Sequence, residues 1–136
     1  MADNDTMVTE NNEAYTDTVV THYEVVFPSQ VNQYGTLFGG IALQWMDQVA
    51  WISATRFARK TMVTIASDRI EFKKPVYQGD LVQLCARVTK VGRTSVTVDV
   101  ELHAEAALTG ERHLATHGQF VMVALNEQGQ PCPVEG

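Results

Sequence analysis

Gly39-Gly40-Ile41-Ala42-Leu43-Gln44-Trp45-Met46-Asp47-Gln48-Val49-Ala50-Trp51-Ile52 is apolar on nearly every side, yet it carries an acid, Asp47, in its middle. Residues from about Gly40 to Ala58 have helical character, and a helix apolar almost all round is one that other elements surround. Aspartate is a poor residue there, because its short carboxylate competes for backbone donors. It is also costly to bury as an ion. Sequences that break a local rule in mid-core tend to do so at functional sites. Just upstream, Val31-Asn32-Gln33-Tyr34-Gly35-Thr36-Leu37-Phe38 is turn-prone and leads into the glycine pair.

Outward from this helix the period changes to two. Val19 to Phe27 is β-branched and aromatic, a strand ended by Pro28. Four strand-like runs follow the helix: Met62 to Phe72, Leu81 to Val91, Ser95 to Ala107 and His113 to Leu125. In the second, Val82, Leu84, Ala86 and Val88 share one face and Gln83, Arg87 and Thr89 the other. In the third, Val96, Val98, Val100, Leu102 and Ala104 oppose Thr97, Asp99, Glu101, His103 and Glu105. Half-buried strands of this kind suit an antiparallel sheet with one covered face. Lys74-Pro75 and Gln78-Gly79-Asp80 separate two of them, and Lys90-Val91-Gly92-Arg93 makes a hairpin turn. The order predicts one strand, a long buried helix, then a four-stranded meander wrapped around that helix.

The chain has 136 residues and reads as one domain. The net charge of −6 is uneven. Asp3, Asp5, Glu10, Glu13 and Asp17 crowd a start without basic residues, so residues 1–17 read as a disordered acidic lead-in. From Thr18 to Arg112 ten basic residues face nine acidic ones, close to neutral. The domain spans 18–125, and 126–136, with Gly129, Pro131 and Pro133, reads as an extended tail. No run reaches the length of a membrane span, and the N-terminus lacks the pattern of a signal peptide. Cys85 and Cys132 have no metal-ligand or disulfide-framework spacing, and Cys85 reads as a small buried side chain. A cytoplasmic protein is expected, with no nucleic-acid or membrane partner.

The motifs Asn32-x-x-Gly35-x-x-Phe38-Gly39-Gly40 with Met46-Asp47, Val63-Thr64, Phe72-x-Lys74-Pro75-Val76-x-x-Gly79-Asp80 and Val88-Thr89-Lys90-x-Gly92-Arg93-Thr94-Ser95 occur in this order. Together they resemble the hotdog-fold acyl-CoA thioesterases, most closely the YciA-type and brain acyl-CoA hydrolase branch, from Phe27 to Val134. The resemblance implies an α+β hotdog fold, an antiparallel β-sheet wrapped around a long central α-helix. It implies hydrolysis of acyl-CoA to free acid and CoA, by a helix carboxylate and an amide side chain from the preceding loop. Those roles fall on Asp47 and Asn32. Tyr34 stands where members often carry a second Asn or His.

The residues also make chemical sense alone. Glycines opening a helix offer unobstructed N–H groups at the positive end of its dipole, and donors aimed at a developing oxyanion contribute roughly 3–4 kcal/mol each. Gly39, where the resemblance also places the oxyanion contact, is the candidate donor, with Gly40 in support; a tight turn or close packing would equally call for such a pair. Asp47 can act as general base on water or attack the carbonyl itself. Asn32 can orient the water or hold the carbonyl, or serve as an ordinary turn residue.

Gly39 and Asp47 lie eight positions apart, roughly 12 Å along one helix, whereas oxyanion donor and base must both approach one carbonyl to about 3 Å. Two antiparallel copies can satisfy both, so the expected active unit is a homodimer, assembling further to a tetramer or hexamer as hotdog thioesterases do. CoA is then part of substrate and product, and no separate cofactor is expected. Arg93, Thr94 and Ser95 are candidates for holding its phosphates and amides, a turn that matching family members use for CoA. Arg59, Lys60 and Lys74 are further candidates, any of which could instead be a solvated surface cation. The histidines have no metal-ligand spacing, and no metal site is expected. The alternative function is a non-catalytic acyl-CoA-binding, effector-sensing hotdog module, which would not need the Asn32 and Asp47 pair.

Overall fold

Alternation in the strands decides which face the helix covers. The computed structural model describes residues 18–136; the acidic lead-in, 1–17, lies outside the described residues. The elements are β1 (Val20–Val25), α1 (Gly39–Ala58), β2 (Thr61–Phe72), β3 (Leu81–Val91), β4 (Ser95–Glu105) and β5 (Arg112–Leu125), with one 3-10 turn at Pro28–Gln30. All strand pairs are antiparallel. Val82, Leu84, Ala86 and Val88 of β3 and Val96, Val98, Val100, Leu102 and Ala104 of β4 are fully buried under α1, as their period predicts. From α1, Ala42, Trp45, Met46, Val49, Ala50, Ser53 and Ala54 meet them. The same parity puts Cys85 on the outer face beside Gln83 and Arg87, where it is only half-buried; the expectation of a buried thiol was wrong.

The sheet order is β1-β3-β4-β5-β2. The meander therefore has three strands, not the four expected, because β2 pairs with β5 at the far edge from β1. Residues 73–80 carry the chain back from that edge to β3, too long a path for a hairpin. On the way they zip onto the loop before the helix. Leu37 N donates to Val76 O at 2.7 Å, Gln78 N to Gly35 O at 3.1 Å and Gly79 N to Val26 O at 2.9 Å. Gly79 makes this path at φ 90, a left-handed conformation that glycine adopts without strain. This crossover fixes the loop that opens α1.

Two surfaces are left bare. β2 is a twelve-residue edge strand with exposed Val63, Ile65 and Phe72. The helix is covered by the sheet on one side only, leaving Gln44, Gln48 and Trp51 exposed, so it is not surrounded within one chain. Residues 126–136 turn back onto the domain. Cys132 N donates to Ala124 O at 2.9 Å, Val134 N to Arg93 O at 2.8 Å, and the Val134 side chain is buried. No helix among the described residues is long and apolar enough to cross a membrane.

Candidate active site

Asn32 sits in a turn that its own side chain builds. Its Oδ1 accepts from Tyr34 N at 2.9 Å, Thr36 N at 3.1 Å and Thr36 Oγ1 at 3.1 Å. Gly35, at φ 79, closes the turn by donating its N–H to Asn32 O at 3.0 Å. The carboxamide oxygen is thus committed to the loop. What remains of the side chain is its Nδ2 donor pair, presented by a rigid turn.

At the start of α1 the N-cap is Phe38, which supplies no side-chain acceptor. Ile41 N and Ala42 N both donate to Phe38 O, at 3.1 and 3.2 Å. The N–H groups of Gly39 and Gly40 precede these and are orphan donors at the positive end of a twenty-residue helix. Neither glycine has a left-handed φ. A Cβ on Gly40 would meet nothing within 4 Å, and one on Gly39 would lie 3.5 Å from Phe72 Cζ, an ordinary contact. Turn conformation and packing within the chain therefore do not explain the pair. Both glycines are exposed, so their N–H groups lie open at the helix start.

Asp47, eight residues on, is half-buried and turned toward β2. Its Oδ1 accepts a hydrogen bond from Thr64 Oγ1 at 2.7 Å. Thr64 shares the strand face of buried Met62, which points it at the helix, and the ladder shifts register just after it, between Thr64 and Ala66. Reading the sequence for site residues missed Thr64. It stood in a quoted motif, but only the fold brings it to the carboxylate. Beside Asp47 opens a hollow of about 410 Å³ lined by Asp47, Gln48, Trp51 and Ile52. A separate groove of about 200 Å³ at the helix start includes Thr36, Gly39, Phe72 and Lys74. The two share no lining residue. One chain does not unite the helix-start donors with the carboxylate.

The basic candidates divide between the helix ends. Lys74 lies in the groove at the start, and its backbone N–H is anchored to Ala115 O at 3.2 Å. Arg59 caps the far end in a left-handed conformation, φ 53, with its side chain exposed. Lys60 is occupied: Nζ donates to Pro133 O at 2.6 Å and Gly136 O at 3.1 Å. At the β3–β4 hairpin, Gly92 N donates to Ser95 O at 2.7 Å, and the carbonyls of Arg93 and Thr94 accept from Val134 N and Ala124 N. That leaves the hairpin backbone fixed and the Arg93 side chain exposed. Three of the four histidines pair with carboxylates: His22 with Glu24 at 2.7 Å, His103 with Glu101 at 2.9 Å and His117 with Asp99 at 3.0 Å. Among the described residues no group of three or more His, Cys, Asp or Glu could hold a metal ion.

An antiparallel sheet curled over one long helix, with that helix opened by glycines and interrupted by an acid, is the hotdog arrangement. The sequence model of the thioesterase superfamily matches residues 34–111. The chain belongs to that superfamily. An uncharacterized acyl-CoA thioester hydrolase of Bacillus subtilis, YkhA, is 43% identical over 109 residues, 80% of this chain. The match takes in 63% of YkhA, so the chain spans a little under two thirds of that relative's length. A solved hexameric acyl-CoA thioesterase is 38% identical, with a TM-score of 0.84 over 87% of this chain and 76% of that one. The acyl-CoA hydrolase of Staphylococcus aureus, solved in complex with butyryl coenzyme A, coenzyme A and coenzyme A disulfide, is 30% identical. Its TM-score is 0.84, over 89% of this chain and 74% of that one. Variants of the same enzyme with an aspartate, a threonine or an asparagine replaced by alanine match equally, with TM-scores of 0.83, 0.83 and 0.84.

Proposed function

We propose that the protein hydrolyses acyl-CoA to a carboxylic acid and CoA, in a site shared by two copies of the chain. The observation that carries this is Asp47, a half-buried helix carboxylate held by Thr64 and facing a hollow. Asp47 either takes the proton from an attacking water or itself attacks the thioester carbonyl. In the first route the tetrahedral oxyanion collapses, the C–S bond breaks, and the proton held by Asp47 goes to the departing thiolate. Gly39 N–H, with Gly40 beside it, receives the oxyanion. Asn32, left with only donors, holds either the carbonyl oxygen or the water oxygen. The replaced residues of the Staphylococcus aureus enzyme support these assignments. Its asparagine and aspartate are fifteen positions apart and its aspartate and threonine seventeen, the spacings of Asn32, Asp47 and Thr64 here.

Sharing between copies follows from the helix. Donors and carboxylate are roughly 12 Å apart along α1 and open into different hollows. An antiparallel partner sets the glycine end of one helix against the acid of the other. Pairing through β2 would cover the exposed Val63, Ile65 and Phe72 and pair an open strand edge. It also brings Lys74 of one copy toward Arg59 and Arg93 of the other, so that CoA phosphates meet cations from both. Further assembly of dimers into a hexamer fits the hexameric thioesterase structure.

The test is thiol release from a panel of acyl-CoAs by wild type and Asp47→Ala. Loss of base or nucleophile should lower kcat at least ~100-fold, while CoA still binds by calorimetry. A variant that keeps more than about half of wild-type kcat overturns the assignment.

A further inference from the structure

Three bulky side chains flank Asp47 on α1, and the fold sends them different ways. Trp45 and Met46 are 7% and 0% exposed and belong to the core. Trp51 is 47% exposed, one turn beyond the acid on the same helix face. Its Nε1 donates to Met62 O at 3.1 Å, which ties the edge of the indole to β2. A large aromatic ring is thus held rigidly beside the carboxylate rather than swinging in solvent.

That ring divides the surface. On one side lies the hollow of about 410 Å³ lined by Asp47, Gln48, Trp51 and Ile52. On the other lies a hollow of about 530 Å³ lined by Trp51, Thr55, Arg59, Lys60, Thr61 and Met62. Trp51 is the single residue common to both linings. The first hollow is mostly apolar where it leaves Asp47; the second carries two cations. A hydrocarbon chain leaving a thioester at Asp47 gains from the first and is stopped at the indole.

We propose that Trp51 is the specificity-determining wall that ends the acyl site and sets the longest acyl chain accepted. The proposal rests on the reading that Asp47 acts on the thioester. Each methylene buried in the hollow should raise kcat/KM about fourfold, until the chain end meets the ring and the gain stops. Removing the indole joins the two hollows, and the gain should resume with longer chains.

The experiment is kcat/KM for straight-chain saturated acyl-CoAs in two-carbon steps, with wild type, Trp51→Ala and Trp51→Phe. In Trp51→Ala the limit should move out by at least one two-carbon step. The first substrate past the wild-type limit should gain about tenfold or more, two methylenes at about fourfold each. Trp51→Phe keeps a ring and should keep the wild-type limit, although it lacks the bond to Met62. If Trp51→Ala does not fold, Trp51→Leu takes its place, narrower than the ring but still apolar. Profiles of Trp51→Ala or Trp51→Leu that superpose on wild type after scaling overturn the proposal, as does a limit that moves equally in Trp51→Phe. A wild-type protein that releases thiol from none of the substrates refutes the thioesterase reading itself, a result distinct from either.

Discussion

Replacing Thr64 by valine tests whether the acid in α1 is held for chemistry. Valine keeps the shape and β-branching of threonine and removes only the hydroxyl that donates to Asp47 Oδ1 at 2.7 Å. Thr64 is exposed on an edge strand, so stability should stay within ~0.5 kcal/mol. A hydrogen bond to an ionised group is worth ~1.5–3 kcal/mol, which corresponds to roughly ten- to hundredfold in rate if it is fully expressed in the transition state. The lower end is the expectation, because part of the bond persists in the ground state. Steady-state thiol release should show kcat down about tenfold, with KM within about twofold. Thr64→Ser, which restores the donor, should return most of the rate. In an Asp47→Asn background Thr64→Val should change little further, since its effect runs through the carboxylate. A kcat for Thr64→Val within twofold of wild type, or a serine variant as damaged as the valine one, would refute the coupling.

Other outcomes follow from the same geometry. Gly40→Ala meets no atom within 4 Å and replaces glycine in a helix, so the melting temperature should hold or rise while kcat/KM falls as the methyl crowds the orphan N–H pair; unchanged activity would return the glycines to a folding role. Arg93→Ala should raise KM for acyl-CoA far more than for the matching acyl-pantetheine, which lacks the distal phosphates, and equal changes would make Arg93 a turn residue only. Equal co-expression of Asn32→Ala and Asp47→Ala chains should recover roughly a quarter of wild-type activity, because half of randomly paired dimers are mixed and each holds one intact site. Activity no higher than the mean of the two parents, with mixed dimers confirmed by mass, would mean that each chain builds its own site.

What could be read from the sequence was what local chemistry records. Period two in Val82 to Val88 and Val96 to Ala104 named the buried faces, because a covered sheet tolerates nothing polar there. Asp47 stood out because it contradicts its surroundings, whereas Asn32 was singled out by the family resemblance and by local chemistry alone could have been an ordinary turn residue. The position of β2 was not legible. Periodicity says which residues share a face and is silent on which strand lies alongside, so four runs in order looked like a meander. Thr64 escaped for a related reason: seventeen residues separate it from Asp47, and only the pairing of β2 with β5 brings it beside the helix. Lys60 read as a CoA-binding candidate or a solvated cation because its partners, the carbonyls of Pro133 and Gly136, lie more than seventy residues away.

One demand accounts for features that would otherwise need separate causes. The dipole of α1 delivers its donors at Gly39 and Gly40, whereas its carboxylate sits more than two turns on. Moving the acid to the helix start would set a negative charge against the same N–H groups proposed to receive the oxyanion, and the two would satisfy each other instead of the substrate. Keeping them apart on one helix preserves both, but a single chain then cannot bring them to one carbonyl. An antiparallel second helix resolves the conflict, and it needs a bare helix flank and an unpaired strand edge to dock on. Exposed Gln44 lies on that flank, and exposed Val63, Ile65 and Phe72 lie on that edge. On this reading the exposed apolar surface, the empty space over the glycines and the acid within an apolar helix are consequences of the same separation of charge.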